Sequence, residues 1–285
     1  MDYLRPKSLS EATALREQHP DFTVLAGGTD VMVSALYRPQ PIGIIDLFHL
    51  SETRGVRSEE TAVFVGATTT YSELLASTLV KQKIPMLWDA AREVGALQIQ
   101  NRGTIGGNIA TSSPVGDTLP VLLACDASLR IANGKGFRDV PYREFCTGYR
   151  TNLLKETEVL AGVLFPHEGL VGRQFWRKVG TRQAQSISKV MIAARAECTD
   201  GKLSHVRIAM GAVADRPIRL GEVENLLEGS NMGEALAEKA AETTANSINP
   251  IDDLRSERVY RLGVAANLVR RFVLGFAVEG DKGIL

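Results

Sequence analysis

Apolar positions in this chain come in short bursts, cut off by glycine, proline and capping residues. Residues 22–26 (Phe-Thr-Val-Leu-Ala) and 43–47 (Gly-Ile-Ile-Asp-Leu) are brief and β-rich, and read as buried strands. Between them Gly27-Gly28 breaks the first strand, Thr29 or Asp30 can cap a helix over 31–37, and Pro39 and Pro41 end it. Upstream, Ser8 and Glu11 have the spacing of a capping box, predicting a helix from residue 8 to about 19. Strand, glycine turn, helix and strand together predict a small βαβ lobe.

The pattern then repeats its vocabulary in a new order. A strand is expected over 62–67, and Thr70 with Glu73 forms a second capping-box spacing. Helical patterns follow through residue 75 and over 85–97, then a second glycine loop, Thr104-Ile-Gly-Gly-Asn108. Residues 117–124 read as helix, while 128–132 and 159–165 read as strands, the last closed by Pro166. From about Gly172 the character changes. Two long strands, 187–198 and 203–213, flank Thr-Asp-Gly-Lys, and Asp200-Gly201 is a strong hairpin signal. After Pro217 the periodicity turns helical, over 235–247 and 259–276. A sheet followed by helices reads as a separate α+β lobe.

Composition narrows the function classes. Of 285 residues, 44% are hydrophobic and 23% charged, ordinary for a globular protein with a sizeable core. Lys plus Arg equals Asp plus Glu, 33 each, so no charge bias points to nucleic acid or an anionic membrane. Cys125, Cys146 and Cys198 are widely spaced and odd in number, which argues against a disulfide framework, a zinc site or an iron–sulfur cluster in this chain. No apolar stretch approaches the ~20 residues needed to span a bilayer, and the N-terminus lacks signal-peptide order. A cytoplasmic protein is expected.

The two double-glycine segments carry the candidate chemistry. The first is Leu25-Ala-Gly-Gly-Thr-Asp30 and the second Thr104-Ile-Gly-Gly-Asn108. Glycine lets main-chain N–H groups approach an anion without a Cβ in the way, and consecutive N–H groups form an anion-binding nest. Two such nests facing each other would hold the two phosphates of a dinucleotide. Either segment alone reads more readily as a tight turn than as a phosphate site. The Gly-x-Gly-x-x-Gly and Gly-x-x-x-x-Gly-Lys-Ser/Thr patterns are absent, so neither a Rossmann nor a P-loop site is supported.

The Ala-Gly-Gly-Thr-Asp segment, Ile45-Asp46-Leu47 downstream, and Thr104-Ile-Gly-Gly-Asn-Ile-Ala-Thr-Ser-Ser-Pro-Val-Gly-Asp117 together resemble the FAD-binding medium subunit of molybdenum hydroxylases, the xanthine dehydrogenase and carbon monoxide dehydrogenase family. The resemblance covers nearly the whole chain. It implies an α+β architecture: a PCMH-type FAD-binding fold of two α/β subdomains (about 1–55 and 56–171), followed by a C-terminal lobe of antiparallel sheet plus helices (172–285). Carried over by position, Val24, Leu25, Ala26, Gly27, Gly28, Thr29, Asp30 and Val31 wrap the pyrophosphate through main-chain N–H groups. Thr104, Ile105, Gly106, Gly107 and Asn108 approach from the other side, and Thr111 lies by the flavin ring. Asp117, Leu160 and Lys178 match further cofactor contacts. Asp117 also reads as a helix N-cap, and a lone lysine such as Lys178 as a solvated surface group. Residues 182–189 match a mobile loop beside the isoalloxazine ring, with Ile187 nearest it. Many relatives carry an acidic residue just before that isoleucine, where this chain has Gln185 and Ser186.

The resemblance further implies non-covalent FAD, because His19, His49, His167 and His205 all lie outside the glycine segments. It implies a partner large subunit with the molybdenum cofactor, a partner small subunit with two [2Fe–2S] clusters, and a dimer of heterotrimers. Electrons would pass from the clusters through FAD to NAD, a quinone or dioxygen, most simply in a xanthine dehydrogenase-type enzyme. No catalytic residue and no metal ligand is nominated in this chain. A stand-alone flavin oxidoreductase of the same fold and a non-catalytic nucleotide-binding protein remain open alternatives.

Overall fold

In the computed structural model the described residues are 1–276 other than 36, 38, 183 and 184. The chain begins with β1 (Asp2–Leu4), α1 (Leu9–Gln18), β2 (Thr23–Leu25), α2 (Val31–Ser34) and β3 (Gly43–Asp46). The three strands form a parallel sheet in the order β1-β3-β2. α1 starts where expected, with the Ser8 hydroxyl accepting from the Glu11 N–H. The Glu11 carboxylate bonds the Lys7 N–H rather than that of Ser8, so half of the capping box forms. α2 is shorter than the predicted 31–37, and Asp30 at its N-cap makes no side-chain capping bond. β1 has no apolar alternation to announce it. It is held by pairing with Gly43–Ile45 and by the Tyr3 hydroxyl donating to Asp46, 2.6 Å.

The second lobe runs β4 (Val56–Ser58), β5 (Ala62–Gly66), α3 (Tyr71–Ala76), α4 (Thr78–Lys83), α5 (Pro85–Glu93), α6 (Leu97–Gln100), α7 (Ile105–Thr111), α8 (Leu119–Ala124), β6 (Ser128–Asn133), β7 (Gly136–Pro141), α9 (Tyr142–Phe145), β8 (Cys146–Gly148), β9 (Thr151–Asn152) and β10 (Val159–Pro166). Its antiparallel sheet has the order β4-β5-β10-β6-β7. The Thr70–Glu73 capping box forms in full at α3. Val65, Leu74, Leu87, Ile105, Leu129 and Phe165 are fully buried in one core. A smaller cluster, in which Leu9, Ala12 and Ile45 meet Ala132, Val159 and Ala161, docks the first lobe onto β6 and β10.

β11 (Arg173–Val179), β12 (Val190–Thr199), β13 (Lys202–Gly211) and β14 (Ile218–Arg219) form the third sheet, antiparallel in that order. α10 (Gly221–Leu227), α11 (Glu234–Ser247) and α12 (Arg258–Gly275) are the last elements among the described residues. The hairpin falls where Asp200-Gly201 places it, both residues at positive φ as a two-residue primed turn requires. One face of this sheet packs Ile192, Ala194, Ile208 and Met210 against Ala265, Val269 and Phe272. The other sends Trp176, Ala193 and Ala209 into the core of the second lobe. Burial on both faces explains why β12 opens on the apolar run Val190–Ala194; Arg195, its first polar residue, is itself buried and donates to the Ala124 carbonyl at 2.8 Å. The strand begins at Val190, not at 187.

Candidate functional site

A cleft of about 660 Å³ opens between the first lobe and the second, within the size range of cofactor sites. The first glycine segment lines it with Val24, Ala26, Gly27, Gly28, Thr29, Asp30 and Val31. The second contributes Thr104, Gly106, Gly107, Asn108 and Thr111, and Leu160 on β10 adds an apolar wall. Five expected residues lie elsewhere. Leu25 sits in β2, its carbonyl accepting from the Leu47 N–H at 2.8 Å. Ile105 is fully buried in the core. Asp117 and Lys178 pair behind the wall, and Ile187 is half-exposed.

Gly27 is what lets the two glycine segments meet. A Cβ there would stand 1.8 Å from the Arg102 carbonyl oxygen, immediately before Gly103 and Thr104. Arg102 is itself held, its guanidinium stacked 3.9 Å over the Phe48 ring. Gly28 has φ +78, which glycine alone adopts without strain, and its Cβ direction is open apart from the Leu25 and Met32 side chains. The N–H groups of residues 27–30 donate to no acceptor among the described residues. This segment therefore lines the cleft with main-chain N–H groups that have no partner among the described residues.

The second glycine segment differs from the expected loop. Thr104 is the N-cap of α7, and Gly106 and Gly107 lie in its first turn. Its donors are already used: Ile105 N–H bonds Thr69 O, Gly106 N–H bonds Ala67 O, Gly107 N–H bonds the Thr104 hydroxyl and Asn108 N–H bonds Thr104 O. It is not an open nest, and Gly107 does not have positive φ. Gly106 serves close approach instead. A Cβ on Gly106 would lie 2.6 Å from Ala67, whereas one on Gly107 would meet only the Thr104 hydroxyl, 3.0 Å away.

Asp117 does not cap α8; Thr118 occupies the N-cap position. The Asp117 carboxylate accepts from Lys178 Nζ at 2.7 Å and from the Ser188 hydroxyl at 2.8 Å. Lys178 also donates to the Glu93 carbonyl, 3.3 Å, and is buried rather than solvated. Burial pushes the Asp117 carboxyl above the usual carboxylate range, and Lys178 and Ser188 oppose that shift. Burial also raises Glu93, again opposed by Lys178. Through Ser188 this cluster ties the C-terminal end of the 182–189 loop to Asp117, the residue after the cleft-lining Gly116. Gln183 and Ala184 of that loop lie outside the described residues.

Sequence reasoning missed several cleft residues. Tyr71, Arg150 and Asn152 line the site, the last two on the β8–β9 hairpin. That hairpin is polar and too short to show alternation, so no local signal marks it. Arg16 also lines the cleft; its Nη1 is bound to the carbonyls of His19, Pro20 and Phe22.

Comparison with known proteins identifies the family. The family model for the FAD binding domain in molybdopterin dehydrogenase matches residues 1–168. That for the CO dehydrogenase flavoprotein C-terminal domain matches 176–276. The chain is 32% identical to the carbon monoxide dehydrogenase medium chain of Hydrogenophaga pseudoflava, over 95% of this chain and 94% of that protein. It is 29% identical to the xanthine dehydrogenase FAD-binding subunit of Escherichia coli O157:H7, over 99% and 98%. Among solved structures, carbon monoxide dehydrogenase from Hydrogenophaga pseudoflava superposes with a TM-score of 0.90 at 31% identity, covering 95% of each chain. Quinoline 2-oxidoreductase from Pseudomonas putida 86 gives 0.90 at 26% identity, covering 98% and 97%. With an α+β fold, a glycine-walled cleft and two family models that together cover 1–168 and 176–276, this chain belongs to the FAD-binding medium subunits of the molybdenum hydroxylase family.

Proposed function

We propose that the cleft holds FAD non-covalently, with the pyrophosphate against residues 27–30 and the second glycine segment packed over it. The observation that carries this reading is the join at Gly27, where an open row of main-chain donors rests on the Arg102 backbone with no room for a side chain. The residues fit such a group: donors on one wall, glycine and apolar surface on the other, in a cleft of about 660 Å³. Bound flavin supplies redox chemistry that links one-electron and two-electron carriers. This chain's own residues bind, orient and shield; none needs to act as acid, base or nucleophile.

In this reading the chain joins a large subunit bearing the molybdenum cofactor and a small subunit bearing [2Fe–2S] clusters, as a heterotrimer that pairs into a dimer of heterotrimers in the cytoplasm. The complex is of the xanthine dehydrogenase type, and electrons leave the flavin to NAD, a quinone or dioxygen through the surface near Ile187. No helix among the described residues is long and apolar enough to cross a membrane. The burial of both faces of the C-terminal sheet supports a packing lobe there rather than a substrate pocket of a stand-alone oxidase. The test is purification of the native complex. Flavin absorbance, with molybdenum and iron co-eluting at the size of a multi-subunit assembly, is the expected result. Substrate oxidation by this chain alone would overturn the subunit reading.

A further inference from the structure

We propose that Arg150 is the cation of the pyrophosphate site, held in reserve by Asp30 and handed from that carboxylate to the phosphate when the dinucleotide binds. This rests on the reading that FAD occupies the cleft. Arg150 Nη2 lies 3.2 Å from each Asp30 carboxylate oxygen, 120 residues away in sequence, and both residues line the cleft. Asp30 ends the row of open N–H groups, so its charge stands where a diphosphate must come. Unneutralised, it would repel that ligand; Arg150 is the group that neutralises it.

The hairpin is built to hold Arg150 there. Arg150 is a non-glycine residue with φ +53, between β8 and β9, a conformation that tertiary anchors must maintain. Those anchors are present. Asn152 donates to the Ala110 carbonyl at 2.9 Å and to the Ser112 hydroxyl at 3.1 Å, fixing the hairpin to the end of α7. Arg216 donates to the Thr147 carbonyl at 2.8 Å from the C-terminal lobe. The guanidinium thus projects from one lobe across to the loop of the other.

The exchange is also easy. The Arg150 and Asp30 side chains are 38% and 62% exposed, and an ion pair so wetted is weak. Two non-bridging oxygens of a phosphate offer the same guanidinium a two-point partner, and the diphosphate as a whole carries two charges to the carboxylate's one. The pair is then a placeholder that keeps Arg150 aimed at the cradle, not a clasp that must be broken at cost.

The experiment uses the full-length chain freed of flavin, titrated separately with FAD and with riboflavin, which lacks phosphate, and followed by flavin fluorescence. Arg150→Gln should weaken FAD binding on the order of ten-fold or more, the worth of a charge-assisted bond, and leave riboflavin binding unchanged. Arg150→Lys should recover part of the loss. Asp30→Asn, which releases the arginine, should bind FAD at least as tightly as the unaltered chain. Unchanged FAD affinity in Arg150→Gln would overturn the proposal. So would an equal loss for FAD and riboflavin, which would mean that the residue only shapes the hairpin. Should Arg150→Gln not fold, a weakened FAD affinity in Asp30→Asn decides against the proposal by itself. If the unaltered chain binds no FAD, the reading beneath it fails as well.

Discussion

Lys178→Met removes the cation paired with Asp117, a carboxylate that the fold has enclosed. Lys178 Nζ and Asp117 Oδ2 are 2.7 Å apart, with side chains only 3% and 12% exposed. Methionine fills similar volume, so the lost packing is small and the consequence is electrostatic. Asp117 keeps the Ser188 hydroxyl but loses its countercharge, and Glu93, whose carboxyl also feels Lys178, is left beside it. Stranding a buried charge costs about 3–5 kcal/mol. At roughly 2–4 °C per kcal/mol for a chain of this size class, the melting temperature should fall on the order of 10 °C near neutral pH. Burial already raises the Asp117 carboxyl; without the lysine it rises further. A carboxyl whose folded pKa lies above its unfolded value stabilises the fold below the unfolded value and loses that contribution as pH rises through the folded one. The deficit of Lys178→Met against the unaltered chain should therefore be small near about pH 5 and large near about pH 8. Thermal unfolding across that range reads it. Asp117→Asn combined with Lys178→Met should recover most of the loss, because no charge is then stranded. An unchanged melting temperature at the alkaline end, or a deficit that grows toward acid, would refute the reasoning.

Other perturbations have equally defined outcomes. Gly27→Ala, whose Cβ would meet the Arg102 carbonyl oxygen at 1.8 Å, should force the glycine segments apart and lower both stability and the flavin-to-protein ratio of the purified chain. Gly107→Val meets little but the Thr104 hydroxyl, so it should fold with a penalty of less than about 1 kcal/mol yet retain less FAD; full occupancy would refute it. Asp126 accepts from Arg195, Arg207 and Arg219; burial pushes its carboxyl up, but Arg219 and Arg207 outweigh that and hold it below the usual range. Its stabilising contribution should be present above the unfolded pKa of about 4 and vanish as pH falls, so Asp126→Asn should lower the melting temperature at neutral pH and flatten its acid dependence. Ser186→Asp places charge beside half-exposed Ile187; a unit charge ~4 Å from a flavin ring is worth roughly 4 kcal/mol at an effective dielectric of 20 before screening. It should alter turnover with NAD or quinone and spare substrate-driven reduction of the metal centres, with rapid-mixing spectroscopy following both; the reverse pattern would put the loop on the wrong side of the electron path.

Much of the fold was legible because its signals act over a few residues. The Thr70–Glu73 box, proline at the start of α5 and the Asp200-Gly201 turn each determine a local geometry whatever surrounds them. The family resemblance was legible for a related reason: the glycine segments are ordered motifs whose residue types are strongly constrained. Thirteen of the eighteen expected cofactor residues line the cleft, since main-chain approach depends on where glycine stands.

What the sequence by itself determined, then, is the set of elements with local capping and turn chemistry, and the positions where a backbone can come close to a ligand. The tertiary structure decided the rest. It turned the second glycine segment from an expected open nest into a capped helix, because Thr69 and Ala67, distant in sequence, supply carbonyls to its first donors. It buried Lys178, which sequence reasoning treats as a surface group, by bringing Asp117 to it from 61 residues away. It joined Arg150 to Asp30 across 120 residues. Partners so far apart leave no periodicity or spacing to read, because their interaction exists only once separate lobes have packed against each other.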